Sequence, residues 1–190
     1  EHECQFIAFD ETLVDSIKLS HLKGKEPLHK TGQVRWYEKI NKNSTYVVGL
    51  DPAMGTGGDY SAIEVWSLPE LVQVAEWQSN RTDVRGQVKT MHDILSILND
   101  EMKELGANNP EIYWSVENNS LGEAALIVID EMDEDKFPGE FLHEPKKRGI
   151  QKAIRKGFTT SYKTKITACM KMKSWMESDK MIPLSKNLIR

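Results

Sequence analysis

Apolar and polar positions along the chain become regular at Tyr46 and stay so to the end. TYVVGLD is a short apolar run that ends on an acid, the pattern of a buried strand. PAMGTGGD follows, and its proline and three glycines mark a tight turn. YSAIEVWSL and LVQVAEWQ then alternate apolar and polar residues, as paired antiparallel strands do, with Pro69 between them. From Val84 to Leu105 the apolar positions change period. Val88, Met91, Ile94, Leu95, Leu98, Met102 and Leu105 fall on one helical face, and Gly106 supplies a stop. EIYWSVE reads as another strand ending on an acid. Ser120 is placed to cap a helix running to about Met132, with Glu123 completing a capping box. FLHE reads as a short strand, Ser161 to Met176 as a helix, and MIPL as the start of a further strand.

The order β-β-β-α-β-α-β-α predicts an α/β fold: a mixed sheet, three antiparallel strands and then alternating helix and strand, flanked by helices. The first ~40 residues are polar and irregular, broken by Gly24, Pro27 and Gly32. They read as a connecting segment, with one short strand expected at Gln5–Phe9. The expected organisation is therefore a connector over 1–44 and a domain over 45–190.

Composition narrows the classes. The chain has 190 residues, 39% hydrophobic and 28% charged, as in an ordinary globular protein. No apolar run approaches the ~20 residues of a membrane span, and EHECQF is no signal peptide. Secretion and membrane insertion are not expected. Cys4 and Cys169 show no CxxC spacing, so a reduced intracellular protein without zinc is the plain expectation. No GxxxxGK[ST] occurs, which excludes a P-loop ATPase in these residues.

Charge changes the picture more. The net charge is −4, yet 145–176 contains no Asp or Glu and ten basic residues. These are Lys146, Lys147, Arg148, Lys152, Arg155, Lys156, Lys163, Lys165, Lys171 and Lys173. The remainder carries −4 − 10 = −14. Mixed signs are the norm on surfaces, so this polarity fits a polyanion-binding face beside an acidic site. Gly149 and Gly157 allow close backbone approach, and Thr159, Thr160 and Ser161 offer hydroxyl donors to phosphate. The acidic run Asp130, Glu131, Asp133, Glu134 and Asp135 reads as a solvated surface at a helix end. Trp66, Trp77, Trp114 and Trp175 read mostly as core, and Trp36 as an anchor for the connecting segment.

Asp51 and Glu117 stand at the carboxyl ends of two strands, where α/β folds place their sites. For either acid alone, a turn-capping role explains the position equally well. Three stretches in order, GLDPAMGTGGDYSAI, SVENNSLG and GFTTSYKTK, together resemble the nuclease domain of the large terminase subunit of tailed phages, the T4-like group in particular. The resemblance covers roughly 46–190. It implies an RNase H-like fold, and a connecting segment that follows an ATPase domain not present here. It also implies a metal-dependent endonuclease that cuts concatemeric double-stranded DNA with little sequence preference. Two divalent ions, Mg2+ or Mn2+, would be held by carboxylates, with Asp51 and Glu117 as the metal-binding and catalytic residues and Asp59 as a further candidate ligand. Hard cations want oxygen ligands, and two of them serve both the attacking and the leaving oxygen. Lys146, Lys147, Arg148, Lys152, Arg155, Lys156, Lys163 and Lys165 would bind DNA. Implied partners are DNA, the ATPase domain, the portal and the small terminase subunit, in the host cell cytoplasm during virus assembly. The family's third metal-binding aspartate sits in a Gly-His-Asp-Asp-like stretch with no counterpart up to Arg190. Weak metal binding and poor cleavage are therefore expected of these residues by themselves. Two other readings stay open: an actin-like nucleotide-binding domain built on the glycine turn, and a non-catalytic module that docks DNA or the portal.

Overall fold

The computed structural model describes residues 13–144 and 156–189. Seven strands form one sheet: β1 (His29–Thr31), β2 (Val34–Trp36), β3 (Thr45–Asp51), β4 (Ser61–Leu68), β5 (Val72–Ser79), β6 (Ile112–Val116) and β7 (Glu140–Phe141). Their spatial order is β1-β2-β5-β4-β3-β6-β7. β3, β4 and β5 are antiparallel neighbours, while β6 runs parallel to β3 and β7 parallel to β6. The mixed sheet expected from the sequence is present.

Helices α2 (Val84–Glu104) and α3 (Ser120–Met132) lie on one face. Alternation along the strands explains why. Tyr46, Val48 and Leu50 of β3, Ile63 and Val65 of β4, and Ile112, Trp114 and Val116 of β6 are buried, and form one core with Val88 to Met102 of α2 and Ala125 and Ile129 of α3. Trp114 stacks on Phe137 and Phe141. The residues between them in sequence, Val47, Gly49 and Asp51, or Tyr113, Ser115 and Glu117, point to the opposite face and stay partly or fully exposed. The catalytic candidates are on that second face.

Several expectations need correcting. The strand expected at Gln5–Phe9 lies outside the described residues, as does Cys4. Within the stretch read as irregular, helix α1 (Ser16–His21) forms and the β1–β2 hairpin joins the sheet through Arg35↔Glu76 and Trp36↔Ala75. Trp36 is 1% exposed and part of the core, so it anchors this hairpin as foreseen. Asn119, not Ser120, caps α3, accepting from the N–H groups of Leu121 and Gly122. Asparagine takes the role because its amide oxygen reaches both orphan donors. FLHE yields only the two-residue β7, placed one residue earlier. MIPL forms no strand. Ile182 makes a single parallel bridge to Val72, and the chain then turns into the short helix α5 (Lys186–Ile189). Trp77 is buried, whereas Trp175 on helix α4 (Tyr162–Glu177) is 43% exposed.

Candidate active site

The register brings the two strand-end acids together. β3 and β6 pair in parallel up to Leu50↔Val116, and the Glu117 N–H donates to the Leu50 carbonyl at 2.9 Å. Asp51 and Glu117 are the next residues along each strand and share a face, so their carboxyl groups meet. Both line a recess of about 430 Å³ together with Glu64, Ser115, Phe158 and Thr160.

Each acid is held by its local sequence. After Asp51, the loop 52–60 is fastened to the start of α2. Gln87, fully buried, accepts from the Ala53 N–H and donates to the carbonyls of Ala53 and Thr82. Gly55 packs so closely on Thr82 that a Cβ would lie 2.3 Å from its carbonyl oxygen, at a φ of +74°. Glu117 is fixed from two sides. A Cβ on Gly122 would sit 2.0 Å from the Glu117 carbonyl, so the first turn of α3 presses against it. The stretch from Gly157 runs beside Glu117 like an extra strand, with Asn118 N–H donating to Phe158 and Phe158 N–H to Val116. Gly157 is required by that approach, since its Cβ would meet the Val116 oxygen at 2.4 Å. Its close contact is with β6. The Asn119 amide donates to Glu117 Oε2 at 3.2 Å.

The electrostatics follow from crowding two like charges. Although Asp51 as a residue is open to solvent, its carboxyl is partly desolvated in the recess and faces Glu117. Desolvation first, then the hydrogen bond and repulsion from Glu117, push it up to about 7. Glu117 is lowered, chiefly by the hydrogen bond from Asp51 and also by Thr160 and the nearby Lys165. The two shifts run in opposite directions, which favours a proton of the pair on Asp51 over Glu117. Lys165, one turn into α4, is the cation that favours ionisation of both. A third acid, Glu64, went unnoticed in the sequence. Burial raises it to about 8, and it accepts from Gln73 Nε2 at 2.9 Å. The alternation IEV in β4 was its one signal, because a glutamate between two buried residues points to the other face.

The remaining candidates fall elsewhere. Asp59 is exposed at the end of the glycine loop. Among the described residues no group of three His, Cys, Asp or Glu side chains is gathered to hold a metal, so Asp59 does not complete one with the pair. Lys146, Lys147, Arg148, Lys152 and Arg155 lie outside the described residues. Lys156 is committed to an intramolecular role, donating to Asp130 at 2.8 Å and Glu134 at 2.6 Å. The acidic run is therefore not simply solvated, and Glu131 also pairs with Arg85. Lys163 and Lys165 are exposed on α4, whose start is capped reciprocally by Ser161 and Thr164. No helix among the described residues is long and apolar enough to cross a membrane.

No protein-family model matches the sequence, and no curated protein matches it either. Solved structures do match. The large terminase nuclease of the thermophilic phage G20c, determined with bound magnesium, superposes with a TM-score of 0.62 at 15% identity, over 90% of this chain and 75% of that one. The large terminase nuclease domain of Thermus phage P74-26 gives 0.58 at 16% identity, over 90% and 73% of the two chains. The manganese-soaked terminase nuclease domain of human cytomegalovirus gives 0.52 at 14%, over 91% and 76%. The chain has the fold of large terminase nuclease domains. At such identity the likeness establishes the fold alone, of the RNase H-like mixed α/β kind, and in this chain the seven-stranded sheet of that fold sets Asp51 beside Glu117.

Proposed function

We propose that this chain is the nuclease domain of a DNA-packaging terminase of the tailed-phage, T4-like kind, acting in the host cytoplasm as virus particles assemble. In this reading it hydrolyses phosphodiester bonds of double-stranded DNA with low sequence specificity. The observation that carries the reading is the Asp51–Glu117 pair: two carboxylates forced together at adjacent strand ends, on a fold shared with terminase nucleases. Crowding the two carboxylates carries a cost in desolvation and repulsion, and a hard divalent cation relieves both better than a proton does. The donor set therefore fits Mg2+ or Mn2+, whose chemistry is to polarise the phosphodiester and lower the pKa of an attacking water. Asp51 and Glu117 would be the ligands. Asn119 and Thr160 orient the Glu117 carboxylate, and the clamp of Gln87 on Ala53 fixes the loop that follows Asp51. Lys165 on α4 supplies positive charge beside the pair, where a scissile phosphate would lie.

Plasmid nicking with Mn2+ or Mg2+ tests the proposal, comparing wild type with Asp51→Asn. Equal metal-dependent nicking by the two proteins sinks it. Direct Mn2+ titration by calorimetry accompanies the assay, because binding precedes cutting and should weaken in the same variant. One observation favours a non-catalytic DNA-binding module instead: among the described residues no group of three His, Cys, Asp or Glu side chains is gathered to hold a metal. DNA binding without any metal-dependent cutting by wild type would decide for that module. The actin-like reading finds less support, since the Ala53 and Gly57 N–H groups of the glycine loop are already donated to Gln87 and Asn80.

A further inference from the structure

Far from the carboxylate pair, the same sheet face ends in a basic recess. It has a volume of about 280 Å³ and is lined by Lys25, Lys30, Arg35 and Lys186, with Glu26 as the one lining acid. Lys25 precedes the β1–β2 hairpin, Lys30 and Arg35 are paired across it, and Lys186 opens α5 near the other end of the chain. Their meeting is enforced by buried structure. Gln73, fully buried, accepts from the N–H groups of Leu184 and Ser185, and Lys25 N–H donates to Leu184. The segment carrying Lys186 is thereby locked against the hairpin.

The acids that accompany these cations mostly stand behind them. Lys25 pairs with Glu38, and Arg35 with Glu76, which is 4% exposed and also receives the Tyr37 hydroxyl at 2.7 Å. Neither Glu38 nor Glu76 lines the recess. Glu26, which pairs with Lys186, projects into solvent with its side chain 78% exposed. Lys30 has no ion pair among those of the described residues. The recess therefore presents several N–H donors to one concavity, with Glu38 and Glu76 outside its lining and Glu26 as the one acid at its rim.

Its place in the sheet gives the recess a direction. Arg35 pairs with Glu76, Glu76 with Glu64, and Glu64 with Gly49, so all four share the face that carries Asp51. Three strand spacings and two residues of rise put Arg35 about 16 Å from Asp51. Between them, burial raises Glu64 to about 8 and Glu76 is paired with Arg35 and accepts from the Tyr37 hydroxyl, which limits the uncompensated negative charge on the intervening face. Duplex DNA carries a charge every ~1.7 Å of axis, so a duplex cut at the pair presents other phosphates at that distance.

We propose that the Lys25–Lys30–Arg35–Lys186 recess is a phosphate-binding site, filled by a backbone phosphate of the DNA flanking the scissile bond. In that form it rests on the nuclease reading. A free phosphate or nucleotide offers the same chemistry, and the test separates the two sources.

The variant is Lys30→Ala with Lys186→Ala, which spares the buried Glu76 partner; thermal melting confirms that it folds. The control is Lys89→Ala with Lys103→Ala, on α2 over the opposite face. Binding to a short duplex is followed by fluorescence anisotropy in EDTA, from low to physiological salt, and inorganic phosphate and pyrophosphate are titrated by 31P NMR. The recess variant should bind DNA roughly 5–20-fold more weakly, with the salt slope reduced by about 1–2, while the control stays at wild type. If DNA binding is unchanged but the phosphate titration seen with wild type is lost, the ligand is a free phosphate. If the variant matches wild type in both arms, there is no phosphate site here. Wild type that binds no DNA at all would instead count against the nuclease reading, leaving the phosphate arm to judge the recess. Mn2+ affinity at Asp51 and Glu117 should be equal in wild type and the recess variant.

Discussion

The two faces of the sheet are made from the same strands and behave as opposites. Under α2 and α3, the inward residues of β3, β4 and β6 are essentially dry and apolar apart from Ser61, whose hydroxyl donates to the Ser79 carbonyl. On the other face the same strands present Asp51, Glu64 and Glu117, with shifted proton affinities and partial access to water. A strand's period of two allows this division, since successive residues never compete for the same side. Stability is concentrated on one face, which frees the other to hold carboxylates at a spacing that is electrostatically unfavourable. A site of this kind persists only because the register is enforced from behind.

Four measurements sharpen or break that contrast. The largest effect is expected on the exposed face: Asp51→Asn or Glu117→Gln should lower metal-dependent nicking by at least ~100-fold without lowering stability at pH 7. Initial rates and melting curves on the same samples check both halves. On the covered face the reverse is expected. Leu98→Ala, fully buried on α2, should cost about 3 kcal/mol in urea unfolding, against roughly 1 kcal/mol or less for Val47→Ala on the exposed face. Equal costs would mean that the faces are not divided as described.

The third measurement concerns pH. Asp51 is raised from 3.8 to about 7 in the folded chain, and Glu64 from 4.5 to about 8. Between these values the folded state holds protons that the unfolded state has lost. Their stabilising contribution is complete below about pH 4 and is lost as pH rises through 7 to 8. The metal-free protein should therefore melt lower at pH 8.5 than at pH 5.5. Asp51→Asn should recover on the order of 1–2 kcal/mol at the higher pH after discounting for solvent screening, roughly 3–6 °C. Mn2+ affinity should rise over the same interval, because metal replaces the proton of the pair; affinity flat from pH 6 to 8 would contradict a proton held there. The smallest effect is at Lys156. Its pairs with Asp130 and Glu134 are partly exposed, so Lys156→Ala should cost about 0.5–1 kcal/mol. If it instead weakens DNA binding as much as the recess variant does, Lys156 serves DNA rather than α3.

Much of the architecture was legible because it is periodic. The apolar run TYVVGLD and the alternation in YSAIEVWSL and LVQVAEWQ pointed to β3 to β5, and the spacing Val88 to Met102 to α2, all close to the observed bounds. Asp51 and Glu117 were legible as strand ends, and their meeting follows from β3 and β6 being neighbours. The β1–β2 hairpin was not legible. Two three-residue strands, one of them wholly exposed, have no pattern of their own and exist because β5 offers an edge. Asn119 displaced Ser120 as the cap because Gly122 lets α3 start hard against Glu117, a contact no local rule contains.

Sequence alone determined which residues could be buried, where strands end, and which acids those ends carry, since these depend on neighbours a few positions away. Tertiary structure decided the rest. It set Glu64 in the recess, committed Lys156 to α3, and carried Lys186 back to Lys25 through Gln73. Those outcomes depend on contacts between residues up to 160 positions apart, as between Glu26 and Lys186, and neither periodicity nor spacing reports on such contacts.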